Sequence, residues 1–182
     1  MKSLILVGKT NSGKTTIAKE LEKRGYYRII TYTTRPMRTK EENGVDYNFI
    51  SQEEFDAKRS EGFFAETADY NAAFGFCSYG SSVESYAENS VIVLNPIGIK
   101  QIKGKVKNTL IVFLDVPEDE LRMRAIKRGD MSAEIERRLT VDRLDFKNIA
   151  DYYDIKVDAM NKSPEEIAEE IIKTENLISN LF

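Results

Sequence analysis

The chain has 182 residues, of which 41% are hydrophobic and 31% are charged, a composition typical of one compact globular domain. Its formal net charge is -3, so no overall basic field attracts nucleic acid or anionic lipid, and a small anion would need local lysines and arginines. Histidine does not occur and Cys77 is the only cysteine, which excludes imidazole catalysis, a zinc cluster of cysteine and histidine, and an intrachain disulfide.

The sequence also bears on the compartment. No apolar run approaches the length of a membrane span, and the first residues open a short strand rather than a signal peptide. A single cysteine suits a reducing environment. We therefore expect a cytoplasmic protein.

Short apolar runs alternate with helical patterns along most of the chain. The predicted elements, in chain order, are a strand at Leu4–Val7, a helix at Thr15–Arg24, a weaker strand at Arg28–Thr31, strands at Val91–Leu94 and Leu110–Leu114, helices at Glu118–Lys127 and Ala133–Phe146, a weaker strand at Ile155–Val157, and a helix that begins with a capping box at Ser163. The strong strands are apolar on both faces, as in a parallel sheet covered by helices. This alternation predicts an α/β fold.

The stretch from Tyr32 to Ser82 has a different character, with many aromatic, glycine and asparagine residues. It contains short candidate strands at Tyr47–Ile50, Phe63–Thr67 and Phe74–Tyr79, and a candidate helix at Ser51–Glu61. We interpret it as a small lobe inserted into the sheet. Further along the chain, Lys127–Ser132 is predicted to form a mobile hairpin between two charged helices.

The segment that follows the first strand matches the phosphate-loop pattern G-x-x-x-x-G-K-[ST] from Gly8 to Thr15. Glycines let backbone N–H groups converge on phosphate oxygens, Lys14 would reach the β- and γ-phosphates of ATP, and the Thr15 hydroxyl would ligate Mg²⁺. Asn11 tolerates left-handed backbone angles where glycine is common. The predicted ATP-binding residues are Gly8, Asn11, Ser12, Gly13, Lys14, Thr15 and Thr16. The motif gives a class of protein but no substrate.

A second cluster suits recognition of a compact phosphate dianion. Arg35 and Arg38 lie three residues apart, Glu41 follows them, and Tyr47 comes after a glycine turn. Arginine supplies bidentate charge-assisted hydrogen bonds, and tyrosine adds a hydroxyl donor. From residue types alone, a solvated charged loop remains the alternative.

The residues from Thr33 to Phe49 carry the whole pattern T-T-R-x-x-R-x-x-E-x-x-G-x-D-Y-x-F and closely resemble the guanylate kinase family. With the phosphate loop at the family's place, the resemblance covers nearly the whole chain. It implies a three-layer P-loop NTPase fold with a parallel core sheet, in a single domain spanning 1–182. The expected core is 1–31, 83–123 and 147–182, with an inserted acceptor (NMP-binding) lobe at 32–82 and a helical lid at 124–146.

The resemblance also implies roles in binding GMP. Arg35, Arg38, Tyr47 and Tyr79 would hold its phosphate, Glu41 would brace the arginines, and Thr31, Glu66 and Ser81 would lie near the base. Guanine presents two adjacent N–H donors that satisfy a buried carboxylate, whereas adenine presents an acceptor at the matching ring nitrogen. Glu66 is therefore expected to select guanine.

The lid arginines of the family correspond to Arg124, Arg128 and Arg138, with Arg143 a less secure candidate. Arg124 and Arg128 share one helical face and are expected to close on the ATP phosphates. The expected catalytic residues are Lys14, Arg38, Arg124, Arg128 and Arg138.

Three features depart from the family pattern. Asn95 stands where the family carries an aspartate, which removes a negative charge near the nucleotide or metal; it remains a candidate GMP-binding residue. The link from Ala68 to Ser78 is longer than usual. Asp158 stands where the family often has an asparagine near adenine.

These features predict transfer of the γ-phosphate of ATP to GMP or dGMP, with ATP as co-substrate and Mg²⁺ as cofactor. The expected partners are small-molecule nucleotides, without nucleic acid or membrane, in a monomer or homodimer. Three alternatives remain at this stage. They are a P-loop kinase for another acceptor, a non-catalytic guanylate-kinase-like module, and a GTPase, which is disfavoured because no N-K-x-D motif occurs.

Overall fold

The structure, a computed structural model, describes residues 1–72 and 75–180. In chain order the elements are β1 (Ser3–Val7), α1 (Lys14–Glu22), β2 (Tyr27–Arg28), β3 (Tyr32–Thr33), β4 (Asn48–Phe49), α2 (Gln52–Ser60), β5 (Phe64–Ala72), β6 (Gly75–Ser82), β7 (Ser90–Val93), α3 (Pro96–Ile102), β8 (Thr109–Asp115), α4 (Glu118–Arg128), α5 (Ser132–Asp145), β9 (Ile155–Asp158) and α6 (Pro164–Ser179). They form two compact units. The first contains Met1–Arg28, Glu88–Ile97 and the chain from Asn108 onward, and the second contains Ile29–Ala87 and Gly98–Lys107.

The first unit is built on a five-stranded sheet in the order β2-β7-β1-β8-β9, and all of its strand pairs are parallel. β1 lies at the centre, where Leu4–Val7 are fully buried because helices cover both faces of such a sheet. Helices α1, α4, α5 and α6 contribute apolar side chains to the same core, including Leu21, Leu121, Leu139 and Ile171. The predicted α/β fold with a parallel core sheet is confirmed.

Helix α6 begins as its sequence predicts. The Ser163 Oγ accepts the Glu166 N–H at 3.2 Å, and the Glu166 carboxylate accepts the Ser163 N–H at 2.7 Å, which completes the capping box. Pro164 occupies the first helical turn, where a missing N–H costs nothing. Among the helices of the described residues, none combines the length and apolarity needed to cross a membrane.

The second unit contains a four-stranded sheet in the order β4-β3-β6-β5. Strands β3 and β4 are parallel, whereas β6 is antiparallel to both β3 and β5. Helix α2 is capped by Ser51, whose Oγ accepts the Glu54 N–H at 3.1 Å. Its buried Phe55 stacks on Phe64 of β5 with ring centroids 4.4 Å apart, which fixes the helix against the sheet.

Several element predictions need correction. The strand predicted at Arg28–Thr31 is wrong: the chain forms β2 and β3 instead, which belong to different sheets. The short helix α3 was not predicted, because seven residues with an internal glycine give little helical periodicity. The hairpin predicted at Lys127–Ser132 is also wrong, since α4 continues to Arg128 and turns at Gly129 (φ 89°), and α5 begins at Ser132. Phe74, the first residue of one predicted lobe strand, lies outside the described residues, and the remainder of that strand falls in β6.

A buried carboxylate joins the start of the first unit to its last helix. Glu175 of α6 has no exposed surface, and its two oxygens accept the backbone N–H of Lys2 and the hydroxyl of Tyr26. Burial and this carboxylate raise the pKa of Tyr26 above its usual range, so the phenol stays a donor. These two hydrogen bonds connect α6 to the residue before β1 and to the segment that follows α1.

Replacing Glu175 with alanine should lower the free energy of unfolding by roughly 1–3 kcal/mol, because it leaves the partly buried Lys2 N–H and the buried Tyr26 hydroxyl without this acceptor. Glu175→Gln should cost less, since the amide oxygen still accepts and the side chain keeps its shape. Urea unfolding of both variants measures this difference. Glu169→Ala on the same helix, where the carboxylate is 71% exposed, is the control and should change the free energy little.

Candidate active site

The phosphate loop connects β1 directly to α1. Its backbone uses left-handed angles at Asn11 (φ 67°) and Gly13 (φ 94°), as expected for an asparagine and a glycine in this position. Gly8 is required for a different reason. A Cβ at Gly8 would lie 2.5 Å from the Ser12 Oγ and 2.9 Å from the Leu114 carbonyl oxygen of β8, so a side chain there has no space.

Lys14, the first residue of α1, folds back onto the loop. Its Nζ donates to the carbonyl oxygens of Gly8 at 2.7 Å and Lys9 at 2.8 Å. Burial lowers the pKa of Lys14 to about 8, and the negative charge of Asp142 opposes that shift. A partly dehydrated ammonium gains more from an anionic ligand than an exposed one, so this side chain is placed to bind phosphate.

A cavity of about 490 Å³ opens on the loop within the first unit. It is lined by Asn11, Ser12, Gly13, Lys14, Thr15, Thr16, Ile17, Arg124, Arg128, Ala159, Lys162, Pro164 and Ile167. The structure therefore brings most of the predicted ATP residues together with two of the three lid arginines. Lys162, Pro164 and Ile167 were not predicted, because nothing in the local sequence shows that α6 begins beside the phosphate loop.

The lid arginines are held in different ways. Arg124 donates to Glu120 at 2.8 Å and to the Ala159 carbonyl at 3.1 Å, and Arg128 pairs with Asp130. Arg138 donates to Glu134 at 2.6 Å and is not among the residues that line the cavity. Two further residues noted in the sequence also have partners. Arg143 forms an ion pair with Glu118, and the Asp158 carboxylate accepts the Met160 N–H at 2.9 Å.

Asp142 of α5 is a residue that sequence reasoning missed. Only 8% of it is exposed, and its Oδ2 accepts the Thr10 N–H of the phosphate loop at 2.7 Å. One signal was available, since Ile135, Leu139 and Asp142 share the buried face of α5 and a charged residue on such a face needs a partner. Asp142 thus links α5 to the loop that surrounds Lys14.

In the second unit, Arg35 forms the centre of a rigid polar frame. The side chain is 5% exposed, and its guanidinium donates to Glu41 at 2.7 and 2.9 Å and to the Tyr79 hydroxyl at 3.1 Å. This pairing holds the pKa of Glu41 at about 2, so the carboxylate stays charged. Glu41 also accepts the backbone N–H of Arg38 at 2.8 Å, so one carboxylate contacts both arginines.

The same frame includes aromatic rings. The Arg35 guanidinium lies 5.3 Å from the ring centre of Tyr47 and 5.5 Å from that of Phe49, and the Tyr47 and Tyr79 rings meet edge to face at 5.9 Å. Arg38 itself is exposed. The predicted phosphate-binding residues are therefore neighbours, with Arg35 fixed by its partners and Arg38 extended into solvent.

A second polar cluster in this unit surrounds Glu66 of β5. Glu66 is 6% exposed, and its Oε1 accepts the Ser81 hydroxyl of β6 at 2.8 Å. The Ser81 hydroxyl also forms a hydrogen bond with the Tyr86 hydroxyl at 2.7 Å. Sequence reasoning missed Tyr86. Burial raises the pKa of Glu66, while the Ser81 hydrogen bonds and the charge of Lys105 lower it. Gly80 permits this approach, because a Cβ there would lie 3.0 Å from the Glu66 carbonyl oxygen.

Two further predicted residues lie outside these clusters. The Thr31 carbonyl accepts the Asn48 N–H at 2.9 Å just before β3. Asn95 follows β7 and belongs to the first unit, whereas the other predicted GMP residues belong to the second.

A glycine-rich loop between a buried central strand and a helix, in a parallel α/β sheet, defines the P-loop nucleotide-binding class. A shikimate kinase from Acinetobacter baumannii shares this fold, with a TM-score of 0.54 over 99% of this chain and 94% of that structure at 11% identity. The family model described as guanylate kinase matches residues 1–175. The chain therefore belongs to the guanylate kinase family.

Individual relatives agree with this assignment. The chain is 34% identical to a guanylate kinase of Clostridioides difficile, over 97% of this chain and 89% of that protein. It is 30% identical to one from Bdellovibrio bacteriovorus, over 88% and 90%. A crystal structure of guanylate kinase from Anaplasma phagocytophilum has a TM-score of 0.66 at 25% identity and covers 97% of this chain and 86% of that one. The predicted resemblance and enzyme class, a nucleoside monophosphate kinase, are confirmed.

The raised pKa of Glu66 predicts a pH-dependent stability. A raised pKa in the folded state favours the protonated form, so the contribution of Glu66 is fully present below its unfolded pKa and is lost as pH rises through the folded value. The stability of the wild type relative to Glu66→Gln should therefore decrease as the pH rises above the ordinary pKa of a glutamate. Urea unfolding of both proteins at several pH values measures this.

Glu61→Gln removes one exposed carboxylate from the same unit and controls for the change in net charge. A wild-type advantage over Glu66→Gln that grows with pH would contradict the assignment of Glu66 as a carboxylate that is costly to ionise.

Proposed function

We propose that the chain transfers the γ-phosphate of ATP to GMP or dGMP, and that the two polar halves described above bind the two nucleotides. The main observation in favour of guanine is the buried Glu66. Its carboxylate accepts one hydrogen bond from the Ser81 hydroxyl and can accept further hydrogen bonds from a ligand. Family membership supports the same reaction.

The ATP half lies in the first unit. The loop N–H groups and Lys14 would bind the β- and γ-phosphates, and Arg124 and Arg128, which line the same cavity, would contact them. The apolar residues Ala159, Pro164 and Ile167 also line the cavity and would contact the adenine. Arg138 is proposed to reach the phosphates only by releasing Glu134.

The residues of the cavity also fit a magnesium ion. The exposed Thr15 hydroxyl lies in the cavity beside Lys14 and is a hard oxygen ligand of the kind Mg²⁺ prefers. In residues 1–72 and 75–180 no group of three acidic or cysteine side chains is placed to hold a metal. The remaining ligands would be phosphate oxygens and water. When bound, the ion neutralises charge on the β- and γ-phosphate oxygens.

The acceptor half lies in the second unit. Arg35 is held in place by Glu41 and Tyr79, and with the exposed Arg38 and Tyr47 it would contact the phosphate of GMP. Glu66 would accept from guanine N1 and N2, with Ser81 and Thr31 near the base. Asn95 supplies an amide where the family pattern has a carboxylate.

Transfer requires an oxygen of the acceptor phosphate to attack the γ-phosphorus in line with the bond to the leaving β-phosphate oxygen. That new P–O bond forms as the old one breaks, and ADP leaves with the electron pair. The acceptor oxygen is ionised at neutral pH, so no general base is needed, which agrees with a chain without histidine. Lys14 and the arginines stabilise the charge that develops on the transferring group.

The setting of the enzyme belongs to the same proposal. We propose that it acts in the cytoplasm, as a monomer or homodimer, on small-molecule nucleotides and without a nucleic-acid partner. A different monophosphate acceptor or a non-catalytic role is not favoured by the family assignment.

Lys14→Met should reduce kcat by about 10² or more, because it removes a charge that acts on the transferring phosphate. It should leave the fold intact, since the ionised ammonium is already costly to bury. Steady-state turnover and thermal melting are measured together. Lys19→Met, an exposed lysine on the same helix, is the matched control. Turnover of Lys14→Met close to wild type would end the assignment of this loop to the reaction.

The test of the proposed function compares kcat/KM for GMP, dGMP, AMP, CMP and UMP. Wild type should prefer GMP over AMP by about 10³–10⁴, because adenine would leave the buried carboxylate unpaired. Glu66→Gln should narrow that ratio, since an amide also donates to the ring nitrogen of adenine. Glu61→Gln should not change it. A wild-type preference for AMP or a pyrimidine nucleotide would refute the guanine assignment.

A further inference from the structure

The strand that carries Glu66 is irregular at that residue. Phe64 pairs with Ser82 and Glu66 pairs with Ser81, so Ala65 is one extra residue in β5 relative to β6. A bulge of this kind bends its strand and redirects the side chains beside it. Here the redirected residue is the buried carboxylate proposed to recognise the base.

β5 is also an edge strand of its sheet, so part of its backbone has no strand partner. Two side chains from another segment of the same unit fill that edge. Lys105 Nζ donates to the Ala65 carbonyl at 3.0 Å. Gln101 accepts the Thr67 N–H at 2.9 Å and donates to the Thr67 carbonyl at 2.8 Å. The residues immediately before and after Glu66 are therefore both held from outside the sheet.

The segment that supplies these side chains is itself anchored. Ile99 and Ile102 of α3 are buried, which fixes the helix that carries Gln101. Gly104 adopts φ 84° and ends the helix, and the N–H groups of Lys105 and Val106 donate to the Ile102 carbonyl at 2.9 and 3.1 Å. This turn brings Lys105 back toward β5.

We propose that Gln101 and Lys105 are positioning residues for the base-reading carboxylate. By holding the Ala65 bulge in one shape they aim Glu66, and so they set how strongly the acceptor site prefers guanine over adenine. The proposal rests on the proposed function, and it gives neither side chain a contact with the nucleotide.

The physical reason is the geometry of the two guanine donors. A carboxylate binds guanine more tightly than adenine only when its oxygens lie at hydrogen-bond distance from both N–H groups. A shift of the strand therefore reduces the discrimination between the two bases before it reduces binding of the phosphate. Lys105 adds a second effect, because its positive charge favours the ionised form of Glu66 that burial opposes.

The experiment measures kcat/KM for GMP and for AMP in Gln101→Leu and Lys105→Met. Each variant should lower the ratio of kcat/KM for GMP to kcat/KM for AMP about fivefold to tenfold, which corresponds to the net free-energy contribution of one hydrogen bond. The KM for ATP should not change. Lys105→Arg, which keeps a cationic donor, should restore the ratio, and Lys103→Met, an exposed lysine two residues earlier, should match wild type.

A double-mutant cycle separates positioning from a general loss of stability. If the two side chains act through Glu66, adding Gln101→Leu to Glu66→Gln should lower the ratio no further. An equal additional loss in that background overturns the proposal, and so does an unchanged ratio in both single variants. If Gln101→Leu does not fold, the comparison of Lys105→Met with Lys105→Arg tests the proposal. A wild type without a preference for GMP would instead refute the proposed function itself.

Discussion

The central position of β1 determines where the phosphate loop can lie. β1 is buried on both faces and hydrogen-bonded on both edges, by β7 and β8. The chain that leaves β1 can therefore continue only beyond the carboxyl end of the strand. There the backbone at Gly8 passes so close to the Leu114 carbonyl that no side chain fits. In parallel α/β sheets ligands bind at this end of the strands, and here the loop, Lys14 and the carboxylate of Asp142 follow from that placement.

The polar clusters of the two units hold their positive charges in different ways. In the first unit the ammonium of Lys14 is partly dehydrated and donates only to uncharged oxygens of the loop, the Gly8 and Lys9 carbonyls and the Ser12 hydroxyl, so it is not paired with a carboxylate. In the acceptor half Arg35 is already paired with Glu41, and the pair provides shape and rigidity rather than a vacant charge. If this motif binds one phosphate, as proposed, the exposed Arg38 would supply the unpaired charge, which is a reason for two arginines in it.

What the sequence could predict was local. The phosphate loop, the apolar strands and the capping box of α6 are each encoded by neighbouring residues, and even the left-handed backbone of Asn11 followed from its residue type. What it missed depends on distant partners. Asp142 meets Thr10 across 132 positions, and Gln101 meets Thr67 across 34, so neighbouring residues do not reveal the partner of either side chain. The wrong strand at Arg28–Thr31 has the same origin, because β-propensity alone cannot tell that the chain changes sheets there.

The contact of Glu175 with Lys2 has a consequence for how the protein is made. The first strand leaves the ribosome before any of its partners, and its neighbour β8 ends only at Asp115. The carboxylate that fastens its entry follows 173 positions after Lys2. At bacterial and eukaryotic elongation rates this is a delay of roughly 10–35 s. β1 can pair with both of its neighbours only after Asp115 has been made, and β9, the last strand of the sheet, ends at Asp158, whereas the described strands of the second unit lie between Tyr32 and Ser82. Leu4–Val7 therefore lack a complete set of strand partners until β8 has been made, and unpaired apolar strands of this kind are prone to aggregation and are targets of chaperones.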